Sequence, residues 1–304
     1  MIINLQSKPS VENVTKESVT FASNGIQLKG TVYKPKDLTG TRPAAVVTGA
    51  WTTVKEQMPG TYARELAVRG LIALAFDFTG WGESGGDSSK RYIEDPSVKT
   101  EDIVAAVEYM VGRQDVDKDH LYGLGVCASS GYMAAAAADN QALKKVALVA
   151  PWLHDPKMAE EIYGGPEATQ KLIAAAEATA AAKEPTILAC GSTTDETAIM
   201  FKAPYYSESD RGLIPEYDNK FNVAGWKPWL SYNAQASAGR IEKPMLMVGS
   251  DSIALPAGAT AYEKCTKAPL EKVWLGSDVT QFDFYDRADV VEKSADAVAE
   301  FFQK

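Results

Sequence analysis

One stretch constrains the fold more than any other: Gly123-Leu124-Gly125-Val126-Cys127-Ala128-Ser129-Ser130-Gly131. The apolar run from His120 to Val126 predicts a buried strand, and the Ala-rich run that begins at Tyr132 predicts a helix. Gly125-Val126-Cys127-Ala128-Ser129 between them has the G-x-nucleophile-x-small frame of a nucleophile elbow, with Cys127 in the central place. A strand can turn that sharply into a helix only if the residues flanking the centre are small. The turn lifts the central side chain above the sheet and leaves backbone N–H groups free at the helix start. Ser129 and Ser130 lack Gly two positions earlier, so the frame rejects them as nucleophiles. A free Cys is more often a small buried apolar residue, and its partners must decide between the two roles.

The rest of the chain repeats the same alternation. Residues 17–23 and 27–33 alternate around Asn24-Gly25, a hairpin signal. Short apolar runs at 44–49, 71–76, 120–126, 146–150, 244–249 and 272–275 predict buried parallel strands. Helical periods at 55–69, 98–112, 256–267 and 286–303 separate them. The expected fold class is therefore α/β, a mostly parallel sheet with helices on both faces. The alternation pauses between residues 155 and 232, where an Ala-rich helix (166–183) precedes a segment rich in Tyr and Trp. Residues 1–154 and 233–304 are thus expected to form the core, and 155–232 a lid inserted over the ligand edge of the sheet.

Composition narrows the function. The chain has 304 residues, a net charge of −9 and 45% hydrophobic residues. It can bury a full core, and an acidic surface disfavours nucleic acid or anionic lipid as partner. Three Cys without a CxxC pair predict no disulfide framework, and a reducing compartment follows. The N-terminus MIINLQSKPSVENVTKE lacks the pattern of a secretory leader, and no apolar run is long enough to span a membrane. The expectation is a soluble cytoplasmic protein acting on a small molecule. No metal or organic cofactor is implied, and the oligomeric state is open, a homo-oligomer included.

The stretches TGAWTTVKEQ (48–57), FDFTGWGESGG (76–86), GLGVCASSGYMAA (123–135), APWLHD (150–155), VGSDS (248–252) and TQFDFYD (280–286) resemble the α/β-hydrolase superfamily. The closer resemblance is to its cysteine-nucleophile branch related to dienelactone hydrolases. It implies an α/β-hydrolase fold and the chain order nucleophile, acid, base. Cys127 takes the first place. Asp251, after Val248-Gly249 at a strand end, takes the second, although Asp is also common at caps and turns. The third place departs from the family, because Gln281 stands where the resemblance implies His. An amide has no proton-accepting nitrogen at neutral pH. The departure is an engineered change, a natural loss, or a sign that another base such as His154 or Glu56 ionises Cys127. A thiol tolerates the loss of His better than a hydroxyl. His120 lies at the far end of its strand and suits a surface role.

The resemblance also implies an oxyanion hole from the backbone of Ala128 and of the loop at Ala50-Trp51. Glu56 is a weaker match to a glutamate near the nucleophile in dienelactone hydrolases; a salt bridge at a helix start is its plain alternative. Trp51, Tyr132, Trp152, His154, Trp226 and Trp229 are candidates for a substrate pocket, although aromatics also fill ordinary cores. Gly80 to Gly86 is a tight turn, since no Lys-Ser/Thr follows it to make a phosphate loop. Cys190 and Cys265 are expected to be packing residues. The function implied is a Cys127-dependent hydrolase of a small ester, lactone or thioester, impaired or altered by Gln281. The alternative is a non-hydrolytic binder, lyase, isomerase or cyclase on the same scaffold.

Overall fold

In the computed structural model, residues 11–304 are described; most of the segment compared with a secretory leader lies outside them. The chain opens with a hairpin, β1 (Val14–Ser23) and β2 (Ile26–Pro35), paired antiparallel across Asn24-Gly25. Both turn residues have positive φ, 47° and 81°, as a two-residue loop of this kind requires. Then come β3 (Arg42–Thr48), α1 (Met58–Val68), β4 (Ile72–Phe76), α2 (Pro96–Val111), β5 (Val116–Val126), α3 (Ser129–Asp139) and β6 (Leu143–Val149). After an insertion the core resumes with β11 (Met245–Gly249), α8 (Pro256–Cys265), β12 (Leu270–Trp274), the one-turn α9 (Asp283–Asp286) and α10 (Ala288–Gln303).

Among the described residues, eight strands form the main sheet in the order β1-β2-β4-β3-β5-β6-β11-β12. The first three are antiparallel neighbours, and from β4 onward the pairing is parallel. Every residue of β4 and β11 is buried. That explains their unbroken apolar sequences, since helices cover both faces of a parallel sheet. Each buried Ile, Leu or Val contributes about 1.5–3 kcal/mol from burial alone. Asp95 caps α2 by accepting from Ser97 and Val98 N–H, with Pro96 at the first turn, a standard start. α10 buries Val290, Val291, Ser294, Ala295, Val298 and Phe302 along one face, the helical stripe that its spacing predicts.

The insertion between β6 and β11 is more structured than its sequence suggests. It contains α4 (Pro156–Ile162), α5 (Pro166–Ala181), β7 (Ile187–Ala189), β8 (Gly191–Ser192), β9 (Met200–Phe201), α6 (Pro204–Ser207), β10 (Lys220–Asn222) and α7 (Trp226–Ser231). β7 pairs with β10 and β8 with β9, two small sheets apart from the main one. Trp226 and Trp229 of α7 pack on Trp51, with ring centroids 5.6 and 5.1 Å apart. This segment therefore lies over the C-terminal ends of β3 and β5. Among the described residues no helix is long and apolar enough to cross a membrane.

Candidate active site

β5 ends at Val126 and α3 begins at Ser129, so Cys127 sits at the corner. Its φ is 57°, left-handed for a residue with a side chain, at a cost of about 1–2 kcal/mol. Three hydrogen bonds hold it there. Cys127 N–H donates to Val149 O, and its carbonyl accepts from Ser130 and Trp152 N–H, each at 3.0 Å. Such over-determined strain is typical of functional positions. Gly125 is required for a different reason: a Cβ there would lie 2.5 Å from Ser129 O, so α3 could not start so close to β5. Ser129 and Ser130 spend their hydroxyls on the carbonyls of Val126 and Gly125.

Ala128, Trp51 and Tyr285 line the same cavity as Cys127, and the backbone N–H groups of the first two and the Tyr285 hydroxyl favour the thiolate form of its sulfur. Burial nevertheless dominates and pushes the thiol above its ordinary range, with the three donors opposing it. α3 has no side-chain cap, which leaves its first N–H groups for this use. The Trp51 peptide is fixed from both sides. Its carbonyl accepts from Tyr206 Oη at 3.2 Å, and the next N–H, that of Thr52, donates to Glu94 Oε2 at 2.9 Å. Thr52 also has a left-handed φ of 65°. The preceding peptide, which carries the Trp51 N–H, is held at Ala50 O, which accepts from Thr53 N–H at 3.3 Å and Thr53 Oγ1 at 2.7 Å, and donors held this rigidly cost little reorganisation when negative charge develops beside them.

Glu94 escaped the sequence reading. It is fully buried, accepts from Tyr132 Oη at 2.8 Å, and pairs with the buried Lys99 at 2.7 Å. The Lys99 ammonium also lies 4.7 and 4.8 Å from the ring centroids of Phe78 and Trp81. A Glu just before an Asp-Pro helix start looks like another first-turn acid, so spacing carried no signal of this role.

Above Cys127 lies a cavity of about 250 Å³. Trp51, Trp152, Tyr163, Tyr206, Trp229 and Phe282 form much of its wall, with Ile162, Ile199 and Met200 on the insertion side. Among the described lining residues none is His, Asp, Glu, Lys or Arg. Gln281 and Tyr285 also line it. The Gln281 amide can be oriented in one way only. Its Oε1 accepts from Ala254 N–H at 2.9 Å, while Nε2 donates to Ala150 O and Tyr285 Oη, both at 3.0 Å.

Several sequence expectations need correction. Asp251 does not meet Gln281; it is exposed, and its Oδ1 accepts from Trp274 Nε1 at 2.8 Å. Gly249 permits this, since a Cβ there would lie 2.9 Å from the Trp274 ring. His154 is buried, and both its nitrogens are spent. Nδ1 accepts from Trp152 Nε1 and Nε2 faces Trp229 O, each at 2.9 Å. The carbonyl can only accept, so the proton sits on Nε2 and the ring is neutral. Burial holds its pKa below the ordinary value. It braces two cavity tryptophans and is not available as a base. Glu56 is outside the cavity and pairs with Lys55 at 2.7 Å, in a cluster with Asp77 and Glu83. Tyr132 and Trp226 are buried behind the wall rather than in it. Cys190 is buried, but Cys265 is exposed and so is no packing residue. His120 is exposed beside Asp117.

No family model matches the chain. It is 37% identical over 137 residues to uncharacterized protein YcjY of Escherichia coli (strain K12), covering 44% of each. It is 38% identical over 140 residues to uncharacterized protein PA2218 of Pseudomonas aeruginosa, covering 45% of this chain and 37% of that protein. These matches span less than half the length of those relatives. Acyltransferase drtE of Aspergillus calidoustus is 31% identical over 113 residues, 37% of this chain and 36% of that protein. Among solved structures, PA2218 superposes with a TM-score of 0.82 at 23% identity, covering 100% of this chain and 99% of that one. The α/β hydrolase GrgF from Penicillium sp. sh18 gives 0.78 at 20% identity, covering 95% and 98%. A dienelactone hydrolase from Anabaena variabilis gives 0.58 at 11% identity, covering 96% and 98%. The chain has the α/β-hydrolase fold, a mostly parallel central sheet with helices.

Proposed function

We propose that this protein is an acyl-transfer enzyme of the hydrolase type, which takes the acyl group of a small, largely apolar ester, lactone or thioester onto Cys127. One observation carries the proposal: Cys127, at a left-handed corner before an uncapped helix, shares the wall of an apolar cavity with Ala128 and Trp51, whose N–H groups favour negative charge beside it. A carbonyl carbon placed over the sulfur brings its oxygen to the two N–H groups, which stabilise the oxyanion of the tetrahedral intermediate. Collapse of that intermediate breaks the bond to the leaving group and leaves an S-acyl thioester on Cys127. The segment 155–232 is then the lid, supplying Ile162, Tyr163, Met200, Tyr206 and Trp229 to the acyl-binding wall. The fold of GrgF and the partial match to the acyltransferase drtE support acyl chemistry.

The lack of an imidazole, carboxylate or amine among the described lining residues favours slow hydrolysis of the acyl-enzyme. Water entering the site would have no imidazole to deprotonate it. The acyl group is therefore held on Cys127 and passed on to water slowly, or to an acceptor that is nucleophilic without help. Stopped-flow mixing with p-nitrophenyl butyrate tests this. The expected result is a burst of about one nitrophenolate per chain followed by a slow steady rate, both lost in Cys127→Ala. Nitrophenolate release equal in wild type and Cys127→Ala would refute it.

A further inference from the structure

The hydrogen-bond polarity around the sulfur assigns one more residue. Gln281 Oε1 is an acceptor, and Ala254 N–H occupies it; Nε2 is a donor, directed to Ala150 O and Tyr285 Oη. The Tyr285 oxygen therefore accepts a hydrogen bond from Gln281, and its own single proton is free to turn into the cavity, whose wall Tyr285 shares with Cys127; from there the hydroxyl favours the Cys127 thiolate. With Gln281 on one lone pair, Tyr285 Oη keeps one lone pair for the Cys127 S–H and one proton for the cavity. A phenol oxygen keeps a second lone pair after accepting from Gln281.

Of the other hydroxyls nearby, Tyr206 Oη donates to Trp51 O and Tyr132 Oη to Glu94, so both of those protons are spent; Tyr163 Oη accepts from Trp229 Nε1 and keeps its proton, but Tyr285 is the hydroxyl placed to favour the Cys127 thiolate. His154 is held between Trp152 and Trp229.

Resting on the Cys127 acylation described above, we propose that Tyr285 is a catalytic residue that relays the thiol proton to the leaving group, with Gln281 as its positioning residue. The step balances. Sγ attacks the carbonyl carbon and forms the S–C bond. The S–H proton passes to Tyr285 Oη as the Tyr285 proton passes to the leaving oxygen or sulfur. The C–O or C–S bond breaks, the leaving group departs as a neutral alcohol or thiol, and Tyr285 ends as it began. No free phenolate is formed, which suits a hydroxyl buried this deeply. Gln281, by occupying one lone pair and donating only, keeps the Tyr285 proton on the cavity side.

The relay predicts a dependence on leaving-group basicity. Single-turnover acylation of Cys127 is followed by intact-protein mass spectrometry with p-nitrophenyl, phenyl, trifluoroethyl and ethyl butyrate. Tyr285→Phe keeps the ring. It should lose less than about 10-fold with the nitrophenyl ester, whose leaving group needs no proton, and about 10²–10⁴-fold with the ethyl ester. As a second variant, 3-fluorotyrosine at 285 keeps the hydroxyl and makes it a stronger acid, so it should flatten the leaving-group dependence relative to wild type. A loss in Tyr285→Phe that is equal across the series marks a structural role and overturns the relay, as does no loss at all, or a 3-fluorotyrosine series parallel to wild type. If no ester acylates even wild-type Cys127, the acylation reading falls and takes the relay with it. If wild type is acylated but the Tyr285 series is flat, the relay alone falls.

Discussion

Replacing Gln281 by Glu changes one NH₂ to an oxygen and almost nothing else in shape. In the structure that NH₂ makes two donations, to Ala150 O and Tyr285 Oη, both at 3.0 Å, while Oε1 accepts from Ala254. In ionised Gln281→Glu the first donation becomes an acceptor facing an acceptor. The second reverses, because Tyr285 turns its proton to the carboxylate and gives up the sulfur. Leaving the Ala150 carbonyl without a donor costs about 1–3 kcal/mol. Burying the charge adds to this, partly offset by the Tyr285 and Ala254 donors, and a net loss of about 3 kcal/mol is expected at pH 8. Protonated Glu restores one donor, and the loss falls to about 1 kcal/mol. The difference of about 2 kcal/mol corresponds to a folded-state pKa raised by about 1.5 units, from about 4.3 to about 6. A raised folded pKa contributes stability below the unfolded value that is lost as pH rises through the folded one. The penalty of Gln281→Glu relative to wild type should therefore climb between about pH 4 and 6 and level off above. Urea unfolding of both proteins at pH 4 and pH 8 measures it, with m unchanged. A variant within about 0.5 kcal/mol of wild type at pH 8, with no pH dependence, would refute the donor role assigned to Gln281.

His154 is buried neutral with its pKa depressed by burial, so it contributes stability above the unfolded value of about 6.5 that is lost as pH falls toward its folded pKa. The thermal midpoint should drop over that window in wild type and drop less in His154→Gln, as read by scanning calorimetry. Asp251→Asn should leave the burst amplitude and rate within about 2-fold of wild type and stability within about 0.5 kcal/mol, because Asp251 faces Trp274 rather than the sulfur; a loss of the burst would return Asp251 to the catalytic chain. Gly125→Ala should destabilise by about 1–3 kcal/mol, since the new Cβ meets the Ser129 backbone. It should also slow alkylation of Cys127 by iodoacetamide.

The sheet was legible because its signals are local. Fully buried strands such as β4 and β11 read as unbroken apolar runs, and Asn24-Gly25 marks a turn whose positive φ values few other pairs adopt. The elbow was legible for a similar reason, since Gly125 is dictated by contact with Ser129, four residues away. The insertion was not, because β7 to β10 are two or three residues long and too short to show a period. Side-chain direction was also hidden. Strand-end position puts the backbone of Asp251 at the ligand edge, but the Trp274 indole decides where its carboxylate goes. The place of Gln281 was read from resemblance, but its role depends on Tyr285 four residues on, where the one-turn α9 brings the two side chains together. Glu94 acts through Thr52 and Tyr132, which are distant in sequence, and no spacing rule joins the three.

The central claim is that an acyl group comes to rest on Cys127. Peptide-level mass spectrometry after brief exposure to p-nitrophenyl butyrate and acid quench tests it directly. A butyryl group on the peptide containing Cys127, with Cys190 and Cys265 unmodified and no adduct at that site in Cys127→Ala, is the predicted result. Turnover of the ester with Cys127 unmodified at every quench time, or an equal rate in Cys127→Ala, would contradict it.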